Sequence, residues 1–319
     1  MTTPQEKNNF AMYPSLILSG LITFMLCSSG FFSILSPMPL VHSAVRWGKV
    51  KAQITAALAL IVAFFLFKEK DAGLVLVAML GFYIAIAMMI IEIINRRLAP
   101  FRSMVLSSTL IVLLLGVVGL GFFESKNMSP IEYMTAEVVK NEKMFTTQFA
   151  LIYEKDSLEY KEFIRKIEKE PKEFVKQIAP AIPKLIIILV FITFWINLCL
   201  GFKTRFLDSE RGADLTKLVH VRLPEHLIWF FIAGLSAVLL EDYVGNTIFE
   251  IGSYILTVLG IFYFFQGFGV YISFLDNVKI EGFFRTLLVA STIFWAFQVL
   301  ILIGLSDLFV NYRRFFKKE

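Results

Sequence analysis

The chain has 319 residues, 57% of them apolar and only 18% charged, with a formal net charge of +5 at pH 7. Soluble domains run about 45–50% apolar, and the 38 residues from Asn8 to Val45 carry no charge at all, which excludes a soluble two-domain enzyme in favour of a polytopic membrane protein. No basic domain is present to carry nucleic acid, so the positive balance reads as basic flanks of a bilayer.

An apolar helix of about 20 residues crosses the hydrocarbon layer. The first charge-free run is too long for one such helix, at about 57 Å. It is broken by Leu35-Ser36-Pro37-Met38-Pro39, because two prolines one residue apart disfavour a continuous helix. The run therefore predicts a helix over 11–32 and a shorter one over 38–49. Charge-free windows follow at 52–67, 72–91, 103–123, 185–202, 226–240, 251–275 and 286–306. The expected fold is all-α: a polytopic transmembrane helix bundle with eight or nine membrane segments and an amphipathic helical extramembrane insertion. It divides into 1–123, 124–179 and 180–319.

A cytoplasmic amino terminus places Arg46, Lys49, Lys51, Arg96, Arg97 and Arg102 in cytoplasmic loops, as the positive-inside rule requires. Nine crossings would leave Arg313, Arg314, Lys317 and Lys318 outside; a re-entrant late segment, of which 226–240 is the shortest candidate, reconciles the two. No cleavable signal peptide is read after Lys7.

Residues 124–179 hold 21 of the 57 charged side chains, 11 acidic and 10 basic. Leu158, Phe163, Ile164 and Ile167 recur at helical spacing, predicting an amphipathic helix. Pro171 suits the first turn of a second helix with Phe174, Val175 and Ile178. Asp156 has basic neighbours, and Glu162 stands four residues before Lys166. The segment reads either as a structured external loop or as a docking, gating or lipid-surface element. It has no histidine or cysteine to support catalysis.

Ionisable groups within the apolar windows are few, and such groups are functional suspects. Glu92, near Arg96 and Arg97, reads as an interfacial ion pair, and Glu250 as a carboxylate at a helix start. Within Tyr263-Phe264-Phe265-Gln266-Gly267-Phe268-Gly269, Tyr263 and Gln266 are candidates for lining a solute cavity or for helix packing. Asn197 and Gln298 carry the same two readings. Gly116, Gly119 and Gly121 supply small residues for close helix approach. His42, His220 and His226 lack zinc-ligand spacing, and Cys27 and Cys199 read as buried small hydrophobes. No metal, cofactor or catalytic constellation is expected.

Three stretches carry a family resemblance: Leu223-Pro224-Glu225-His226-Leu227-Ile228-Trp229, the Tyr263–Gly269 segment, and Gly304-Leu305-Ser306-Asp307-Leu308-Phe309-Val310-Asn311-Tyr312-Arg313-Arg314. With Pro37-Met38-Pro39 and Arg46-Trp47-Gly48 near the amino end, the chain resembles the YybS-like family of uncharacterised bacterial multi-pass membrane proteins. Its first helices are distantly similar to the substrate-binding subunits of energy-coupling-factor vitamin transporters. That similarity implies a small-molecule pocket among helices, a membrane protein partner for transport, and residence in the bacterial cytoplasmic (inner) membrane. The chain departs from those subunits in its polar segment and later helices, and it has no ATP-binding motif. Asp307 and Arg314, seven residues apart, share a helical face and are expected to pair structurally. Small-solute binding or transport with separate partners leads, a non-transporting envelope scaffold or regulator acting through residues 124–179 is the second reading, and an integral-membrane enzyme using separated residues such as His42 and Glu225 stays third.

Overall fold

The computed structural model describes residues 4–68, 71–150, 157–208 and 221–316; Asp156, His220, Lys317 and Lys318 lie outside them. Among the described residues every regular element is helical. In chain order they are α1 (Pro4–Ser28), a 3-10 turn (Phe31–Leu35), α2 (Met38–Trp47), α3 (Lys49–Phe67), α4 (Asp71–Asn95) and α5 (Pro100–Ser125). The short α6 (Pro130–Lys140), α7 (Glu142–Phe149), α8 (Leu158–Lys169) and α9 (Pro171–Ile178) come next. Then follow α10 (Ala181–Asp208), α11 (Leu227–Leu239), α12 (Glu241–Val244), α13 (Asn246–Asn277), α14 (Gly282–Trp295), α15 (Phe297–Val310) and α16 (Arg313–Phe316). They form two units, residues 1–108 with 189–319, and residues 109–188.

In the larger unit, the break at the prolines sets the amino-terminal architecture. Gly30 takes φ 69°, Pro37 is the N-cap of α2, and Pro39 sits in its first turn, where a missing N–H costs nothing. The ten-residue α2 packs against α1, α3 and α4 and buries Leu40, Val41 and Ala44. Gly48 at φ 97° turns the chain directly into α3, a conformation open to glycine. Gly201 of α10 seats against this group: a Cβ there would lie 2.8 Å from Ile94 Cδ1 and 2.9 Å from Val41 Cγ1.

Around α13 a second part of the same unit assembles, with α11 and α15 packed along it. Phe262 meets Phe101 and Phe191, while the Trp195 ring stands edge-on to Phe268 at a centroid distance of 4.7 Å. Residues Tyr263 to Val270 are all buried, so this stretch of α13 has neighbours on every side.

The smaller unit is built by α6–α9 with the adjoining turns of α5 and α10. Val138, Ile167 and Val175 form its core, flanked by Ile131, Met134, Phe145, Phe163 and Phe174. Ser129 opens α6 with a reciprocal capping box: its hydroxyl accepts from the Glu132 N–H, and the Glu132 carboxylate accepts from the Ser129 N–H at 2.9 Å.

The expected eight or nine membrane segments are overturned. Among the described residues five helices are long and apolar enough to cross a membrane: Lys49–Phe67, Gly73–Asn95, Pro100–Ser125, Ala181–Phe202 and Asn246–Asn277. A sixth arises if α14 and α15 count as one span broken by a 90° bend. Charge-free windows overcount because they do not measure helix length. The 13 residues of α11 reach only about 20 Å, and α2 is shorter still. The expected amphipathic insertion is corrected too. The apolar stripe of 158–167 is spent inside the small helical unit, where Ile167 is 1% exposed.

Candidate functional site

Two buried polar clusters stand out, both within the larger unit. The first surrounds the 3-10 turn that follows α1. The turn is half-exposed, with Phe31 and Phe32 outward and Ser33 and Ser36 buried, and side-chain hydrogen bonds tie its inner side to α1, α4 and α10. Ser36 Oγ donates to the Thr23 carbonyl at 2.8 Å, the Tyr83 hydroxyl donates to Ser33 Oγ at 2.9 Å, and Asn197 Nδ2 donates to the Ile34 carbonyl at 2.7 Å. Asn197 Nδ2 also donates to the Thr193 carbonyl at 2.8 Å. Because both partners are carbonyls, the amide nitrogen is assigned and Asn197 Oδ1 is left as the free acceptor. That oxygen and Thr23 Oγ1 have no hydrogen-bond partner, although both residues are fully buried. Each such group costs about 1–3 kcal/mol.

The second cluster unites the three stretches Leu223–Trp229, Tyr263–Gly269 and Gly304–Arg314. Gln266 Oε1 accepts from the Leu223 N–H at 3.0 Å, and Gln266 Nε2 donates to Asp307 Oδ2 at 3.1 Å. The other Asp307 oxygen accepts from the Tyr312 N–H at 2.9 Å. Arg313 Nη2 donates to the carbonyls of Val221 at 2.9 Å and Gln266 at 3.0 Å. Outside this buried knot, Arg222 Nη2 donates to Asn311 Oδ1 at 2.8 Å. Burial pulls the Arg313 guanidinium below its ordinary pKa; Asp307 opposes that shift and Arg222 adds to it. A short extended segment, Val221–Leu223, is thus fastened to α13 and to the end of α15 by side chains from both.

The family comparison covers the first cluster and most of the second. A family model described as "Predicted membrane protein (DUF2232)" matches residues 15–308. The chain belongs to this family. No curated protein and no solved structure matches it. The span matched by the DUF2232 model takes in Thr23, Asn197, Gln266 and Asp307, and ends before Asn311 and Arg313. It is a multi-pass membrane protein by its helical spans.

The remaining expected site residues fall as follows. Tyr263 is fully buried against Val221, Leu223 and Leu259, and its hydroxyl has no partner. Gln298 is exposed, away from both clusters' hydrogen bonds. Asp307 and Arg314 are not brought together: Arg314 is exposed, and the buried arginine is its neighbour Arg313. Glu92 pairs with Lys49 and Arg96. His42 is exposed, and no metal-ligating group of three or more occurs among the described residues. Thr23, Ser33, Ser36 and Tyr83 escape a reading of the sequence, since isolated hydroxyls in apolar runs carry no periodic signal. Arg313 had one available signal, the asparagine at 311, a residue type that tolerates the left-handed conformation which ends a helix.

Proposed function

We propose that this DUF2232 protein binds a small polar solute beside the 3-10 turn and works with a separate membrane partner, as the likeness of its amino-terminal helices to energy-coupling-factor substrate-binding subunits suggests. The observation that carries this reading is that two buried oxygens, Thr23 Oγ1 of α1 and Asn197 Oδ1 of α10, lack hydrogen-bond partners on residues that are themselves bonded to the 31–36 turn between α1 and α2. Discontinuous helices at membrane depth are the usual setting of solute sites. A ligand presenting an N–H or O–H to Asn197 and a polar group to Thr23 would supply the hydrogen bonds that these two oxygens lack. The YybS-like resemblance and a bacterial inner-membrane location belong to the same proposal.

The test is purification in mild detergent, identification of copurifying small molecules and proteins by mass spectrometry, and a thermal-shift screen of polar metabolites. A ligand that stabilises the protein but not Thr23→Val supports the reading. Repeated preparations with no bound solute and no hit in the screen refute it.

A second reading, an envelope scaffold or regulator acting through residues 124–179, is favoured by one feature. A groove of about 500 Å³ on the smaller unit is lined by Glu132, Thr135, Ala136, Val139, Lys140 and Lys172. Charge reversal at Lys140 and Lys172 with unchanged association of copurifying proteins removes this alternative.

A further inference from the structure

Arg222 of the Val221–Leu223 segment and Arg313 and Arg314 beyond α15 do more than fasten the two together. Arg222 and Arg313 cross-link the same two stretches of chain, one from each. Asn311 accepts from Arg222, while Arg313 donates to the carbonyl of Val221, the residue before Arg222. Arg314 follows, exposed, and Arg102 adjoins Phe101, whose ring packs on Phe262 and Phe265 beside Gln266. The carboxylate that belongs to this knot, Asp307, is already engaged by Gln266 Nε2 and the Tyr312 N–H. Glu225, the next acidic residue along the segment, is exposed and makes no ion pair among the described residues. Arg313 is only 8% exposed, yet its Nε has no hydrogen-bond partner.

Arg222, Arg313 and Arg314 therefore outnumber Asp307 and Glu225 in this stretch, and hydrogen bonds already orient the guanidiniums of Arg222 and Arg313. Oriented guanidiniums match the oxygen pairs of phosphate esters. Large apolar side chains stand exposed next to these arginines in the chain: Phe309 is 75% exposed and Phe315 66%. An occupant must offer an anionic phosphate to the arginines and hydrocarbon to the phenylalanines. A soluble phosphate offers only the first.

We propose that Arg222 and Arg314 bind the phosphodiester headgroup of an anionic phospholipid, with its acyl chains lying against Phe309 and Phe315. Arg222 and Arg314 reach the phosphate from the exposed side, and Arg313 ties the site to the buried knot. The inference is independent of solute binding, since none of these residues touches Thr23 or Asn197.

The test uses the full-length protein in detergent supplemented with phosphatidylglycerol or phosphatidylcholine, with retained lipid counted by native mass spectrometry. Phosphatidylglycerol is retained in preference, and Arg222→Gln and Arg314→Gln each weaken its retention about fivefold. The exposed Arg314 side chain makes no hydrogen bond or ion pair among the described residues, its backbone N–H alone bonding Asn311, so its variant isolates lipid binding from stability. Equal retention of the two lipids, or undiminished phosphatidylglycerol on the double variant, overturns the proposal. Thermal stabilisation by glycerol phosphate equal to that by phosphatidylglycerol assigns the arginines to a free anion and overturns the lipid.

Discussion

Gly267 of α13 and Gly304 of α15 meet backbone to backbone. A Cβ added at either one would lie 2.8 Å from the other's amide nitrogen, and closer still to a carbonyl oxygen, that of Leu300 or Tyr263. Small residues let membrane helices approach this closely, and here the approach places Gln266 and Asp307, each beside the crossing, within hydrogen-bond reach.

Gly267→Ala and Gly304→Ala are accordingly expected to force the helices apart, at a cost of about 3 kcal/mol or more. Gly116 is the control, because nothing lies within 4 Å of a Cβ there. Alanine at 116 is expected to stabilise α5 by about 0.5–1 kcal/mol. Melting temperatures of the three variants in one detergent decide the matter; equal values would contradict the crossing.

Gln266→Leu removes the acceptor of the Leu223 N–H and a donor to Asp307. A loss of about 1–3 kcal/mol is expected, together with faster hydrogen exchange at the Leu223 amide. Asp307→Leu is expected to cost more, about 3–5 kcal/mol, because it strips a buried guanidinium of its compensating charge. The ranking of the two variants is the measurement that counts.

Thr23→Val separates packing from ligand binding. The substitution keeps the shape and removes a buried hydroxyl oxygen that has no partner. The ligand-free protein is expected to be as stable as before, or more stable by about 1 kcal/mol. Stabilisation by any solute at this site is expected to vanish. A destabilised ligand-free variant would mean that the hydroxyl has a partner after all.

In the smaller unit, the hydrogen bond from the Ser129 N–H, reinforced by its side chain, holds the Glu132 carboxyl below its ordinary pKa. A depressed folded-state value contributes stability above the unfolded carboxylate range and loses it as pH falls through the folded one. The amino-terminal turn of α6 is therefore expected to fray on acidification below about pH 4.5, and Ser129→Ala to cost about 1 kcal/mol. Amide exchange of the first turn against pH, in wild type and Glu132→Gln, reads this directly; identical profiles would exclude it.

Much of the architecture is legible in the sequence, and its failures have physical causes. The proline pair marks the break after α1 because proline removes a donor wherever it sits. The 90° bend between α14 and α15 falls at Ala296, with neither glycine nor proline to announce it. Seven-residue spacing selects Arg314 as the partner of Asp307 only if the helix is unbroken. Asn311 at φ 50° ends α15 and resets the phase, so Arg313 is the arginine that turns inward. Gln266 is conspicuous among apolar neighbours, whereas its partner at Leu223 is a backbone N–H and has no signature in composition.

The fastening of Val221 to Arg313 also dictates an order of events during biogenesis. These residues are 92 positions apart, so α11 through α15 must all be synthesised before the tie can close. Until then the Val221 carbonyl depends on water for its hydrogen bond. A nascent chain halted before residue 307 would hold its later helices in the bilayer with this end still hydrated and untied, open to proteases that the finished protein resists.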